Sequence, residues 1–336
     1  MAHLKPIYQL TLDKQDLTMR VAPRLSSLNM TLCRADEADQ LDLVLTDYDG
    51  KLAIPKRGVA LKVALGWEES GLVNQGLFTV DEIEHSGSPD HITVRARSAS
   101  MTRSLHKRRE QSWHEVSLAT IIKTIAARHH LTPKIAAAFM KVEIKHIDQT
   151  HESDLSFLTR LAKQYDAVMT VKQQTLLFMP LGASRTASGK ALPLVEIPRQ
   201  ATAQHRYHIA QREHYAGVQA YWHSIGQAKR QSVVVGEEDE SNLKVLPEPY
   251  ASRAQAQAAA RSEWQRIQRK QATMSVTLAL GRADLSPEMP IKLIGFKKEI
   301  DETPWLIARV SHALSDGGFS TTLELEVRDE SASERQ

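Results

Sequence analysis

Val59-Ala-Leu-Lys-Val-Ala-Leu-Gly-Trp67 is the stretch that decides the fold class. Val59, Leu61, Val63, Leu65 and Trp67 take every second position, with Ala60, Lys62, Ala64 and Gly66 between them. A period of two puts the first set on one face of a strand. Leu41, Leu43 and Leu45 repeat the pattern against Asp42, Val44 and Thr46. Ile92, Val94 and Ala96 repeat it against Thr93, Arg95 and Arg97. Asp49-Gly50, Ser70-Gly71 and Ser86-Gly-Ser-Pro-Asp90 separate these runs with turn residues. Short strands at this spacing predict a barrel or sandwich over residues 1–105.

The period changes after Ser117. Leu118, Ile121, Ile122, Ile125 and Ala126 fall on one face of a helix capped by Ser117, which ends near His129-His130 ahead of Pro133. A second helix opens at Glu152-Ser-Asp154, where the helix dipole favours the two carboxylates. Its apolar stripe reads Leu155, Leu158, Leu161, Ala162 and Tyr165, making Leu155, Leu158 and Leu161 packing residues rather than a site. Residues 168–172 and 176–179 read as a short β pair, and 182–193 as a loop-like connection rich in Gly, Ser and Pro.

The β period then returns. Met274, Val276, Leu278 and Leu280 alternate with Ser275, Thr277 and Ala279, and Thr321, Leu323, Leu325 and Val327 with Thr322, Glu324 and Glu326. One helix interrupts them. Ser252 and Gln255 are placed for a capping box, and Ala256, Ala260, Trp264 and Ile267 form its buried face, with Trp264 expected against the second barrel. The expected fold class is mainly β with α insertions (α+β). It comprises a first β-barrel domain (1–105), a helical insertion with a small β-hairpin (106–190), a second β-barrel domain with one amphipathic helix (191–330) and a frayed tail (331–336). The halves share a layout: strands at 59–67, 78–83 and 92–98 find counterparts at 291–296, 305–310 and 320–328. That layout suggests two related barrels.

Composition narrows the function. The chain has 336 residues, 42% hydrophobic and 25% charged, as in folded proteins, and its formal charge of +3 is too balanced to argue for nucleic acid as main partner. Cys33 is the only cysteine, so no internal disulfide forms and folding in a reducing compartment is expected. Met1-Ala-His-Leu-Lys-Pro6 lacks an apolar h-region and no long apolar run follows, so synthesis in the cytoplasm without export signal or stable membrane insertion is expected.

Chemical motifs are few. The fourteen histidines include no His-Glu-x-x-His. His129-His130 reads as a charge-favoured helix cap, and His205 and His208 fall on opposite faces of a strand. Gly182 to Lys190 looks like a phosphate loop at first, but Ser184 stands where its first glycine belongs and Ala191 replaces the magnesium-binding hydroxyl. Lys107-Arg-Arg109 and Glu237-Glu-Asp-Glu240 read as solvated segments. No catalytic residue, cofactor site or metal site is expected. A cell-wall hydrolase would need an acid with a nucleophile or metal in one cleft, and a gene regulator would need a base-reading helix; neither is nominated by these residues.

Four segments carry a resemblance: Leu77-Phe-Thr-Val-Asp-Glu-Ile-Glu84 leading into Ile92–Arg97; Glu152–Ala162; Pro249–Ala260 with Trp264; and Trp305–Val310 through Leu323–Val327. In order and spacing the chain resembles the phage late control D family, the baseplate hubs of contractile tails, from about residue 5 to 328. The second segment also resembles the matching helix of type VI secretion spike proteins. The resemblance implies two small β-barrels with an inserted helical region and a structural, non-enzymatic role. It implies a homotrimer whose barrels form a pseudo-sixfold ring between a hexameric tail tube protein and a trimeric tail spike protein. Other baseplate wedge proteins and the tape measure protein are further implied partners, with DNA only in transit. It places the protein in the virion tail baseplate, assembled in the host bacterial cytoplasm. Particle type and interface residues stay open.

Overall fold

The computed structural model describes residues 4–12, 15–34, 37–98, 103–172, 174–186, 190–209, 215–224, 229–237 and 242–328. The loop tip 187–189, the acidic residues 238–240 and the tail from 329 lie outside the described residues.

The first group of elements is β1 (Pro6–Leu12), β2 (Gln15–Asp16), the single-turn α1 (Thr18–Val21), β3 (Leu25–Cys33), β4 (Gln40–Thr46), β5 (Ala60–Trp67), β6 (Gly71–Ser86) and β7 (His91–Ser98). They pair in the order β3-β4-β7-β6-β5-β1-β2. Leu61, Val63 and Leu65 are buried and Lys62 is exposed, as the alternation predicts. The long β6 slips register opposite Val63/Ala64 and again at Val80/Glu82. Such bulges bend a strand, which lets this one wrap round the core. The first bulge also aims Gln75 at the second half of the chain, where its Nε2 donates to the Ala283 carbonyl at 2.8 Å.

The insertion contains β8 (Arg108–Ser117), α2 (Leu118–Arg128), β9 (Thr132–Ile135), α3 (Ala137–Met140), β10 (Glu143–Ser153), α4 (Asp154–Gln164), β11 (Ala167–Lys172) and β12 (Thr175–Pro180). Ser117 caps α2 by accepting from the Thr120 N–H, and Ser153 caps α4 by accepting from the Ser156 N–H. The five residues read as the α2 stripe are all buried. On α4 the buried face is Asp154, Phe157, Leu158, Leu161 and Ala162, while Leu155 is only partly buried. The face is therefore turned from the expected stripe, toward Trp113, whose ring stacks on Phe157 at 6.4 Å.

The remaining elements are β13 (Val195–Pro198), β14 (Thr202–Ile209), β15 (Gly217–Ser224), β16 (Lys229–Gly236), β17 (Leu243–Val245), α5 (Arg253–Arg269), β18 (Ala272–Leu278), β19 (Pro290–Ile294), α6 (Lys298–Asp301), β20 (Trp305–Ser315) and β21 (Gly318–Val327). Leu280, expected in register with Leu278, lies past the end of β18 and is exposed. Strands β19, β20 and β21 are antiparallel neighbours in succession, as β5, β6 and β7 are. β20 pairs with β21 on one side and with β3 on the other, so both halves belong to one thirteen-stranded sheet. Leu28, Val63 and Ile92 from the first half share a core with Trp305, Leu323 and Leu325 from the second. The chain is mainly β with helical insertions, as its periodicity predicts.

Helix α5 does not rest on that barrel core. Its Ala256, Ala260 and Ile267 pack on Val218 and Ala220 of the small sheet β16-β15-β17, a cluster of its own. Trp264 is partly buried there, against the small sheet rather than the core of the thirteen-stranded sheet. It lies over Gly236, where an added Cβ would come within 3.3 Å of the indole. An alanine-lined helix face and a glycine on the sheet permit this close approach.

Candidate functional site

A network of sheltered charges lies where strands from both halves of the chain meet α5. Arg34, just past β3, reaches Glu288 at 2.6 Å and Glu326 on β21 at 2.6 Å. Arg269, at the end of α5, forms a fork with Asp166: Nη1 donates to Oδ2 at 2.7 Å and Nη2 to Oδ1 at 2.5 Å. Its Nε stands 3.5 Å from Glu326. The Gly182 N–H, at the exit of the insertion, donates to Glu288 Oε2 at 2.8 Å. Five side chains thus tie the segment after β3 to β21, to the residues before β19, to the turn after α4 and to α5. Paired guanidinium–carboxylate geometry fixes direction as well as distance.

Asp166 and Glu288 both hold left-handed backbone, with φ of 49° and 72°. Non-glycine residues in that region cost energy and persist where the surroundings over-determine them. Burial pushes the Glu288 carboxyl above its ordinary pKa, with Arg34 acting in the opposite direction. Burial would lower Arg269, but Asp166 more than compensates and its pKa is raised. No local pattern announces this network, because its members lie at positions 34, 166, 269, 288 and 326.

A second polar cluster holds α4 to α2. The Asp154 carboxylate is fully buried. It accepts from Arg128 Nη1 at 2.8 and 3.0 Å, from Gln149 at 2.9 Å and pairs with His129 Nε2 at 2.7 Å. Arg109 Nε lies 3.2 Å away. Burial alone would raise this carboxyl; the bonds from Gln149, His129 and Arg128 outweigh it and hold the pKa below the ordinary value. Asp154 therefore answers the partly buried Arg128 and Arg109 as well as the helix dipole. His129 follows α2 as expected, but its ring is buried between Asp154 and Ser104, whose Oγ is 2.8 Å from Nδ1. Arg109, expected in a solvated run, belongs to β8 and turns to Asp154.

Ser104, His129 and Asp154 stand in the order of a hydrolytic triad. A triad aspartate stabilises the imidazolium formed during reaction. Here the same carboxylate already accepts two bonds from Arg128, so the arrangement locks the ends of α2 and α4 together. His205 and His208 are exposed on β14, and His205 meets the edge of Phe296. Among the described residues no group of three or more His, Cys, Asp or Glu side chains gathers to hold a metal ion.

Comparison with known proteins agrees with this architecture. The profile of the family described as "Phage tail baseplate hub (GPD)" matches residues 40–318. A "Probable baseplate hub protein" of Escherichia phage 186 is 43% identical, over 97% of this chain and 94% of its own length. The solved tail protein of Neisseria meningitidis MC58 superposes with a TM-score of 0.73 at 13% identity, over 98% of this chain and 99% of that one. An Escherichia coli type VI secretion component superposes with a TM-score of 0.55 at 14% identity, over 91% of this chain and 74% of that one. These two share the fold. The chain therefore belongs to the phage tail baseplate hub family.

Proposed function

We propose that this hub is a non-enzymatic symmetry adaptor joining a hexameric tail tube to a trimeric central spike. The observation that carries the reading is the repeated strand layout: β5-β6-β7 and β19-β20-β21 are successive antiparallel neighbours inside one sheet. Three copies then present six similar barrels, which suit a sixfold tube, while the trimer suits the spike. The junction of Arg34, Glu288, Glu326, Arg269 and Asp166 supports the same reading, because an adaptor must keep its two barrels in fixed relation under load. Barrels at 1–105 and 191–330 with an insertion at 106–190 are the domains of this scheme. Wedge and tape measure proteins complete its contacts, and DNA only passes through. Assembly takes place in the host cytoplasm before incorporation into the virion tail.

Each contact in the ring buries on the order of 2,000 Å² or more, the size of obligate interfaces. Native mass spectrometry of the co-expressed hub and spike tests the stoichiometry: three hubs per spike trimer is expected, and six would overturn it. The competing reading, a tail-associated cell-wall hydrolase, rests on the order Ser104–His129–Asp154. A fluorophosphonate probe separates the two. The adaptor reading expects no labelling of Ser104; labelling abolished by Ser104→Ala would favour the hydrolase.

A further inference from the structure

On the exposed face of the β8–β10 ladder, His114 and His146 stand directly across from each other. Their rings lie 4.5 Å apart between centroids, and the two Nδ1 atoms are 3.0 Å apart. His146 Nε2 lies 3.0 Å from Asp148 Oδ2 on the same strand. A carboxylate can only accept, so His146 Nε2 carries the proton and its Nδ1 presents a lone pair. With neutral rings that lone pair accepts from His114 Nδ1–H. One proton is thus held between two good ligand atoms at the surface.

We propose that His114 and His146 form a cross-strand binding site for a borderline divalent transition-metal ion, which replaces the shared proton. Three features support it. First, nitrogens 3.0 Å apart, each about 2.0–2.1 Å from one ion, subtend roughly 95° at the ion. That angle suits the tetragonal preference of Cu²⁺ or Ni²⁺ better than tetrahedral Zn²⁺. Small ring rotations and a shift of the His114 proton to Nε2 turn both lone pairs toward the ion.

Second, Asp148 is where a ligand-orienting carboxylate belongs. Metal-bound histidines almost always donate their other N–H to such a group, which fixes the tautomer and raises ligand basicity. Asp148 Oδ2 stands 3.0 Å from His146 Nε2, in place to accept that N–H. Third, both histidines are exposed, and a groove of about 930 Å³ lined by Asp148, Thr150, His151, Glu152, His106 and Arg108 opens beside the orienting carboxylate. With two protein ligands, the other positions go to water or to a side chain of a docked neighbour.

The test uses the full-length chain without an affinity tag, titrated with Cu²⁺ and with Ni²⁺ by calorimetry. The wild type is expected to bind one equivalent ahead of any weaker uptake, and binding weakens as pH falls through the histidine range. His114→Ala and His146→Ala each lose that equivalent, and Asp148→Asn weakens it about 10–100-fold. His146→Gln is a second variant should His146→Ala fold poorly, with thermal unfolding as the control. Two results overturn the proposal: the tight equivalent persists in the single variants, or uptake is spread evenly over the surface histidines as adventitious binding. Neither depends on the hub stoichiometry, so this site and the adaptor reading stand or fall separately.

Discussion

Asp154 and His312 show how single buried groups set the stability of this chain. Asp154 gathers Arg128, His129 and Gln149 round one carboxylate. Asp154→Ala leaves the partly buried Arg128 and Arg109 without their carboxylate and should cost about 3–5 kcal/mol in urea unfolding. Because its folded pKa is depressed, its contribution is present above the unfolded value and is lost as pH falls through the folded one. His312 is the reverse kind of group. It is buried on β20 beside Thr321, with burial pushing its pKa down to about 4 from 6.5. Between those values the unfolded chain binds a proton that the folded chain refuses, so stability declines as pH falls across that window. The decline should reach about 3 kcal/mol. His312→Gln should flatten that part of the stability–pH curve, and an unchanged slope would refute the assignment.

At the scale of elements, α4 and α5 differ in how much the sequence says about them. The i, i+3, i+4 spacing in α4 locates Leu158 and Leu161, which are fully buried. The spacing does not reveal Phe157, because the face is turned by the burial of Asp154, and partners for Asp154 come from β8, α2 and β10. Leu161→Ala should cost about 2–5 kcal/mol and exposed Lys163→Ala less than about 0.5 kcal/mol, compared by thermal unfolding. Equal shifts would contradict the helix packing. For α5 the cap and the alanine face are legible, but the surface beneath them is not. Its sheet is drawn from β15, β16 and β17, none of which alternates strongly enough to be assigned from sequence. Trp264 is half-sheltered at this contact, so Trp264→Ala should cost about 1–3 kcal/mol, less than a fully buried tryptophan would.

At the scale of the whole molecule, the two halves of the chain are legible as a repeated order of strands and turns. Their union is not. The β3–β20 ladder brings together residues such as Leu32 and Val310, and Arg34 meets Glu326, across most of the chain length. Contacts of that separation leave no periodic trace. Arg269→Ala strips the partner from Asp166 and should cost about 3–5 kcal/mol. It should also speed hydrogen exchange in α5, while exchange in β5 stays as in the wild type; uniform acceleration would argue against a local joint.

The adaptor account rests on one claim, that three chains supply six equivalent barrels to the tube. An electron-microscopy reconstruction of the assembled baseplate reads this directly. The account predicts three hub chains in a ring, with both barrels of each chain facing tube subunits at successive positions round the axis. Six hub chains, or one barrel per chain meeting the tube, would contradict it.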